Sequence, residues 1–437
     1  MVSVLRLSKR ATALVVVAVL VPLMTAACGS SGSSTSSTTS GGGTVSTNGA
    51  SAPGVTSNSV SVGLLTSLTG PVAAGFTTVA TGFKARIAMQ NAQGGVNGRK
   101  INVVLGDDQG TTTGALSAAQ TLVQQKQVFA TGMISVVGFA AQPYLTREGV
   151  PVTGTPLDGP EWSPPNTNMF PDSGSPDAKF PAPATYGLFF KGQGATNVAV
   201  VANNSPSAVA AAKNVGASAK AAGLKATYIN YTIPFTQLGS FGSIVQQMKS
   251  ENVDGIFIAM EPTAAFALLE NMRQAGMHVK AYLNTLAPPA AVLQNPQAAA
   301  AAQGTWVPSH WVPVGLHTAA TEAFVSALKT YAHQTFAPDE NEYDGWAAAS
   351  AIIKGLQVAG KNPTRASFIS GLRGVTNFTD DGLLVSPENM QASFGTTAEG
   401  PGPQPGDCYW YSQYKGTSWV PDAKPICGGL VPNSNAG

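Results

Sequence analysis

From Ser59 onward, short apolar runs alternate with amphipathic stretches of roughly ten to sixteen residues, and this alternation limits the fold more than anything else in the chain. "VSVGLL" (60–65) reads as a strand running into the loop "TSLTGP". "FTTVATGFKARIAMQNAQGG" reads as a helix with Val79, Phe83, Ile87 and Met89 on its inner face, ended by Gly94-Gly95. "KINVVLGDDQ" is the second strand, and "TTTGALSAAQTLVQQK" a helix opened by a threonine cap. "VFATGMI" leads into a third strand, "AAQPYLTREG" is a short helix and "VPVTG" a fourth strand. A proline-rich crossing, 155–176, interrupts the cycle. It restarts with a helix over "AKFPAPATYGLFFKGQG". The strands "NVAVVA", "KATYINYTI", "GIFIAM" and "VKAYLN" follow, separated by "SAVAAAKNVGASAKAAG", "SFGSIVQQMKSE" and "TAAFALLENMRQAG" as helices. Strands alternating with helices imply parallel sheets, and two such runs with a break imply two α/β lobes. Three more helices follow, "TEAFVSALKTYAH", "NEYDGWAAASAIIKGLQVAG" and "RASFISGLRG". After Asn377 the texture turns to short strands: "GLLVS", "QASFG", "CYWYSQYKG" and "SWVP".

The start of the chain reads differently. Arg6, Lys9 and Arg10 precede an apolar run at 11–27, which ends in the small residues Thr25-Ala26-Ala27, the pattern of an export signal over 1–27. The competing reading is a membrane span, for which a run of roughly 17 residues interrupted by Pro22 is short. "TAAC" resembles the bacterial lipobox, with Thr25 where that motif usually has leucine and with Leu23 and Met24 close by. The resemblance implies cleavage before Cys28 and lipid attachment to its thiol, which would anchor an exported protein to the outer face of the cell membrane. Two or more acyl chains hold stably where one does not. An ordinary secreted protein with an unpaired cysteine is the alternative. Residues 28–58 are almost all Ser, Thr and Gly, a flexible tether with a root-mean-square reach of roughly 30 Å. With Cys28 acylated, Cys408 and Cys427 are left as an even pair in an oxidising compartment. A bridge between them closes a loop worth about 3 kcal/mol.

Composition narrows the function classes. Only 11% of the 437 residues are charged, the net charge is +2, and Lys and Arg are scattered singly, which leaves nucleic-acid binding little electrostatic basis. The folded part carries no G-x-S-x-G, no H-E-x-x-H and no G-x-x-x-x-G-K-[ST]. A carboxylate pair for glycoside chemistry is a pattern that sequence alone does not exclude. Asp107-Asp108 read as strand-end acids capping the next helix, since two acids are too few for calcium. His278, His310, His317 and His333 lack metal spacing, apart from a loose His310–His317 pair. Trp306, Pro308 and Trp311 fall where a crossover strand would run, with packing as their default role. Neither a metal nor a cofactor is expected.

Four stretches, in this order, resemble the leucine/isoleucine/valine-binding branch of the type I periplasmic solute-binding proteins. They are "VGLLTSLTGPVAAGF", "GFKARIAMQNAQGGVNGRKINVVLGDDQ", "SFGSIVQQMKSENVDGIFIAMEPTAAFALLENMRQAGM" and "EYDGWAAASAIIKGLQVAG". The second, with its Gly-Gly-Val-Asn-Gly-Arg turn and the Asp-Asp after the strand, is the most specific. The resemblance covers about 60–385. It implies two Rossmann-like lobes with central parallel sheets, joined by a three-strand hinge and clamping a ligand between them. Lobe I would be 59–172 with 310–378, and lobe II 173–309 with 379–432, ending in the disulfide hairpin. It also implies a binding protein rather than an enzyme, a monomer, and an ABC permease in the membrane as its partner.

In open α/β sheets ligands sit at the carboxyl ends of strands, which selects the loops to search. "TSLTGP" offers the hydroxyls of Ser67 and Thr69, which equally suit turn chemistry alone. "ISVVGF" offers Ser135, then Val136 and Val137, where the amino-acid-binding relatives are rich in serine for the ligand carboxylate. The Val pair is either pocket wall or core. "TGTPLDGPEW" offers Thr155 and Asp158, the latter a ligand group or a solvated turn residue. "VANNSPS" has Asn203 and Asn204 where relatives show Asp and Tyr-Gly. Glu261 follows "GIFIAM", and Leu286 lies in "TLAPPA", which lacks the acid relatives use for the ammonium. Val136, Val137, Phe139, Trp162 and Leu286 imply an apolar ligand: an aromatic or aliphatic carboxylate, or a small amide. The expected function is a lipid-tethered receptor delivering a small solute to an ABC importer. A ligand sensor feeding a membrane receptor, and an exported hydrolase, are the alternatives.

Overall fold

In the computed structural model, the described residues are 51–157, 160–162, 165–172, 182–285, 287–288, 290–391, 408–432 and 434. The expected export signal, the tether and Cys28 therefore lie outside them, apart from the tether's last residues. No helix among the described residues is long and apolar enough to cross a membrane.

Five apolar runs of the first half pair side by side as parallel strands: β1 (Ser59–Thr66), β2 (Lys100–Asp107), β3 (Ala130–Ile134), β4 (Val152–Gly154) and β5 (Met169–Pro171), in the order β2-β1-β3-β4-β5. Helices α1 (Val79–Ala92), α2 (Thr112–Gln120) and α3 (Gln142–Arg147) supply the crossovers. Thr111 caps α2 by accepting a hydrogen bond from the Gly114 N–H at 3.0 Å. Strand β5 sits inside the stretch read as a proline-rich crossing. Three residues ending at Pro171 are too few to show a period, and sheet pairing fixes the strand.

The second sheet begins after α4 (Thr185–Gly192). Strands β6 (Asn197–Asn203), β7 (Lys225–Ile233), β8 (Gly255–Ala259), β9 (Ala281–Asn284) and β10 (Trp306–Ser309) run parallel in the order β7-β6-β8-β9-β10, repeating the order of the first sheet. Helices α5 (Pro206–Ala221), α6 (Gly242–Ser250), α7 (Pro262–Gln274), α8 (Ala290–Leu293) and α9 (Pro296–Ala302) connect them. The helix expected over "AKFPAPATYGLFFKGQG" is shorter: α4 starts at Thr185, and Pro183 pairs instead with Leu430 in an isolated bridge. Proline lacks the N–H a helix interior needs and pushes its predecessor out of the helical region.

The chain then returns to the first sheet with α10 (Ala319–Ala332), α11 (Glu340–Ala359) and α12 (Arg365–Arg373). It finishes on the second with β11 (Cys408–Lys415), β12 (Ser418–Pro421) and β13 (Ile426–Cys427). Strand β11 is antiparallel to β10, β12 and β13. Cys408 and Cys427 pair across β11 and β13 and form a disulfide. "GLLVS" is not a regular strand; Leu384 makes an isolated bridge to Trp311. "QASFG" lies outside the described residues beyond Gln391.

The first core is completed only by the returning helices. Phe83 of α1, Ile134 of β3, Ala348 and Ile352 of α11 and Phe368 of α12 all pack in it, fully buried. Met390 belongs to the same core, and Arg373 donates to the Met390 carbonyl at 2.6 Å. Residues 379–391 thus pack with the first lobe, where the sequence reading assigned them to the second. Helices α1 and α11 meet at backbone distance through two glycines. A Cβ on Gly345 would lie 2.0 Å from the Val79 carbonyl oxygen, and one on Gly82 1.9 Å from that of Glu342.

Two measurements check this account. Gly345→Ala must push α11 off α1 and should cost about 3 kcal/mol or more in chemical denaturation, at the upper end for overpacking; an unchanged midpoint would refute the close contact. Replacing both Cys408 and Cys427 by alanine should cost about 3 kcal/mol. Equal stability of the oxidised and reduced wild-type chain would contradict it.

Candidate functional site

The carboxyl ends of the two sheets face one cavity of about 250 Å³. From the first lobe, Val72, Gly75 and Phe76 follow β1, Val136 follows β3, and Thr155, Pro156 and Leu157 follow β4. From the second, Asn203 ends β6, Ala259 to Pro262 end β8 and open α7, and Thr285 follows β9. Both sheets change direction of strand order beside these loops, between β1 and β3 and between β6 and β8, where ligands bind in open α/β sheets.

The polar floor comes from α11 and from the crossing between β10 and α10. Glu340 and Asp344 are four residues apart, so the helix places both carboxyls on one face toward the cavity. Ser309 donates its hydroxyl to Glu340 Oε1 at 3.1 Å, and Trp311 donates Nε1–H to Asp344 Oδ1 at 3.2 Å. Donor atoms of His310, Glu340 and Asp344 all lie within 4.8 Å of one another, the only such group of three among the described residues. Behind them Asp172 is fully buried, with Oδ2 accepting from the Thr155 hydroxyl at 3.0 Å. Burial pushes Asp344 up to about 7, against hydrogen bonds from Trp311 and Thr155 that pull it down. Burial, then the neighbouring Asp344, hold Glu340 well above the usual carboxylate range. Burial also drives His310 down to about 3, so its imidazole is neutral.

The other acids of this segment hold the helix start. Asp339 and Glu342 form a reciprocal capping box: the Asp339 carboxylate accepts from the Glu342 N–H, and Glu342 Oε2 from the Asp339 N–H at 2.9 Å. The Thr78 hydroxyl donates to Asp339 at 2.9 Å, tying α11 to the start of α1. Burial raises Asp339 to about 6 and Glu342 to about 8.

The sequence-derived candidates divide. Val136, Thr155, Asn203 and Glu261 line the cavity. Asn203 Oδ1 accepts from the Glu261 N–H at 2.8 Å, which locks the two loops together. Ser67 and Thr69 are not among the lining residues. Their hydroxyls donate to Asp108 at 2.5 Å and Asp107 at 2.6 Å, which is turn chemistry. Ser135 accepts from the Val137 N–H at 3.1 Å, and Val137 packs in the core beside Trp162, which is 1% exposed. Asn204 is exposed and donates its N–H to the Ile233 carbonyl. Phe139 is exposed at 36%. Asp158 and Leu286 lie outside the described residues. Glu340, Asp344, His310, Tyr186 and Tyr409 line the cavity without having been singled out as ligand groups. A signal existed: four of the chain's 22 acidic residues fall within 339–344.

Comparison with known proteins was consistent across sequence and structure. The periplasmic binding protein family model matches residues 59–416. A Leu/Ile/Val-binding protein homolog of Brucella melitensis is 24% identical over 220 residues, 50% of this chain and 59% of the relative. The chain thus spans less than two thirds of the length of the curated relatives it matches. The fatty acid ABC transporter substrate-binding protein from Thermomonospora curvata superposes with a TM-score of 0.72 at 20% identity, over 87% of this chain and 96% of that one. An ABC transporter solute-binding protein of R. palustris, in complex with benzoate, superposes with a TM-score of 0.69 at 17% identity, over 86% and 99%.

The buried acids set the expected pH response. Asp339, Glu342 and Asp344 titrate between about 6 and 8 when folded, against about 4 for unfolded carboxyls. The folded chain therefore holds protons that the unfolded chain releases, so their stabilising contribution is complete below about pH 4 and is lost as pH rises through 6 to 8. The ligand-free melting temperature should fall between pH 5 and 8.5, less steeply for Asp344→Asn. A flat or rising curve would contradict the assignment.

Proposed function

The chain belongs to the periplasmic binding protein family, in its Leu/Ile/Val-binding-like branch, and on that premise we propose that it captures a small organic solute outside the cytoplasm and presents it to the permease of an ABC importer. The observation that carries this reading is the cavity itself, walled by strand-end loops of both sheets. A solute that touches both lobes favours whichever arrangement brings them together, so binding and closure are one equilibrium. Phe235, in the loop after β7 of the second lobe, packs against the first core together with Leu68 and Leu157. It acts as a latch across the cleft. The mostly apolar wall supports an amino-acid-like or more apolar solute. A lipid on Cys28 and the tether at 28–58 would keep the receptor close to its permease.

The test is a solute panel read by thermal shift and small-angle scattering. A true ligand at a hundred times its Kd should stabilise the chain by about 2.7 kcal/mol and reduce its radius of gyration. Phe235→Ala should weaken binding about tenfold, the order of one lost apolar contact, and lower the ligand-free melting temperature as well, because the latch already packs on the first core there. Binding with no contraction would argue against closure.

A further inference from the structure

Resting on the reading of the cleft as the solute site, we propose that the solute is an organic cation: a primary ammonium on a small apolar body, without a carboxylate. Among the described residues, Glu261, His310, Glu340 and Asp344 are the ionisable Asp, Glu and His side chains lining the cavity, and no described Lys or Arg lines it. A carboxylate there would find no cation among the described lining residues, and an imidazole that burial keeps neutral. Nor do the helix starts invite an anion. Ser205 caps α5 by accepting from the Ala208 N–H at 3.3 Å. Glu261 caps α7 with its own carboxylate, accepting from the Ala264 N–H at 3.2 Å. The negative charge favoured at that helix start is already supplied by the chain.

The floor of the cavity has the opposite need. Glu340 accepts from Ser309 and Asp344 from Trp311, and both carboxyls have capacity for more. His310 Nε2 is buried and without a hydrogen-bond partner. With these atoms inside 4.8 Å of one another, one ammonium can donate to all three. Among the described residues, the groups facing this trio add acid and no base: Asp172 at the end of β5, Asp339 at the cap of α11, and the phenols Tyr186 of α4 and Tyr409 of β11. Burial favours the protonated form of these acids, Glu340 above all, and an entering ammonium takes the place of that proton. The Tyr186 and Tyr409 rings, 5.5 Å apart, and the Tyr409 ring 6.4 Å from His310 add π faces of the kind that attract cations. Val72, Phe76, Val136, Leu157 and Met260 then enclose an apolar body. The volume of about 250 Å³ is below the usual ligand-pocket range of about 300 Å³ upward, which suits a compact solute.

The experiment is calorimetry on the purified chain at pH 8 with matched probes. These are phenethylamine and isoamylamine, their carboxylate counterparts 3-phenylpropionate and 4-methylpentanoate, the zwitterions phenylalanine and leucine, and Zn²⁺ alone. The amines should bind at least tenfold more tightly than the matched carboxylates and release protons, seen as a binding heat that varies with buffer ionisation enthalpy. Glu340→Gln and Asp344→Asn should each weaken amine binding at least tenfold. Both variants remove a buried acid and should melt no lower than wild type, which shows that they fold. Carboxylates or zwitterions binding more tightly than the amines, with scattering contraction, would overturn the cation proposal and leave solute capture standing. Zn²⁺ binding lost in His310→Ala, with no amine binding, would overturn it in favour of a metal. No probe binding and no contraction would count against both readings.

Discussion

The structure depends on the seat of α11 against α1. Gly82 and Gly345 let the two backbones approach to where no side chain fits, and the Thr78–Asp339 hydrogen bond fixes the axial position. Because α11 follows the five parallel strands of the second sheet, the first core is unfinished until the chain returns. Ala348, Ile352 and Phe368 fill it from far along the chain; the Ala348 carbonyl accepts from Thr153 of β4, 195 residues earlier. The same docking carries Glu340 and Asp344 to the cavity floor. Packing and site construction are therefore one event, and a helix displaced from α1 would take the acids with it.

How much of this was legible in the sequence follows from what each signal is made of. Strands such as β1, β6 and β8 are continuous apolar runs between turn residues, and local composition is enough to find them. Strand β5 is three residues long and β10 contains Pro308; both are strands because neighbours pair with them, which no local pattern records. The strand-end rule located the correct loops yet did not separate Val136 from Ser135 and Val137. One residue faces the cavity, the next packs in the core, and the hydroxyl is spent on a local N–H. Ser67 and Thr69 went the same way, since short hydroxyl side chains beside Asp107 and Asp108 find partners within their own loops. Glu340 and Asp344 were hidden because acids at a helix start have an ordinary explanation, which Asp339 and Glu342 do fulfil.

The cost of that floor bears on its purpose. Two carboxyls at i and i+4 repel each other when ionised, and burying them unpaired in a mostly apolar cavity is unfavourable unless they keep their protons. Elsewhere the buried Arg86 guanidinium reaches Asp381 at 3.5 Å beside Asp380. No Lys or Arg among the described residues lines the cavity to do the same. A binding site can tolerate local instability of this kind when the ligand completes it, since a group that binds only the folded chain adds its binding energy to folding.

The crossing from β10 to α10 is one of the passages between the two sheets, and in three consecutive residues it contacts both acids: Ser309 donates to Glu340, His310 stands beside them, and Trp311 donates to Asp344. Trp311 is fully buried and stacks near Tyr343 of α11. A change in the protonation or occupancy of the two carboxyls therefore acts directly on the segment about which the lobes would turn. Coupling between ligand and closure then needs no relay through the sheets. The hydrogen bonds from Ser309 and Trp311 weaken when an acid is protonated and strengthen when it is ionised beside a cation, so the bound state is also the one in which the crossing is held most firmly.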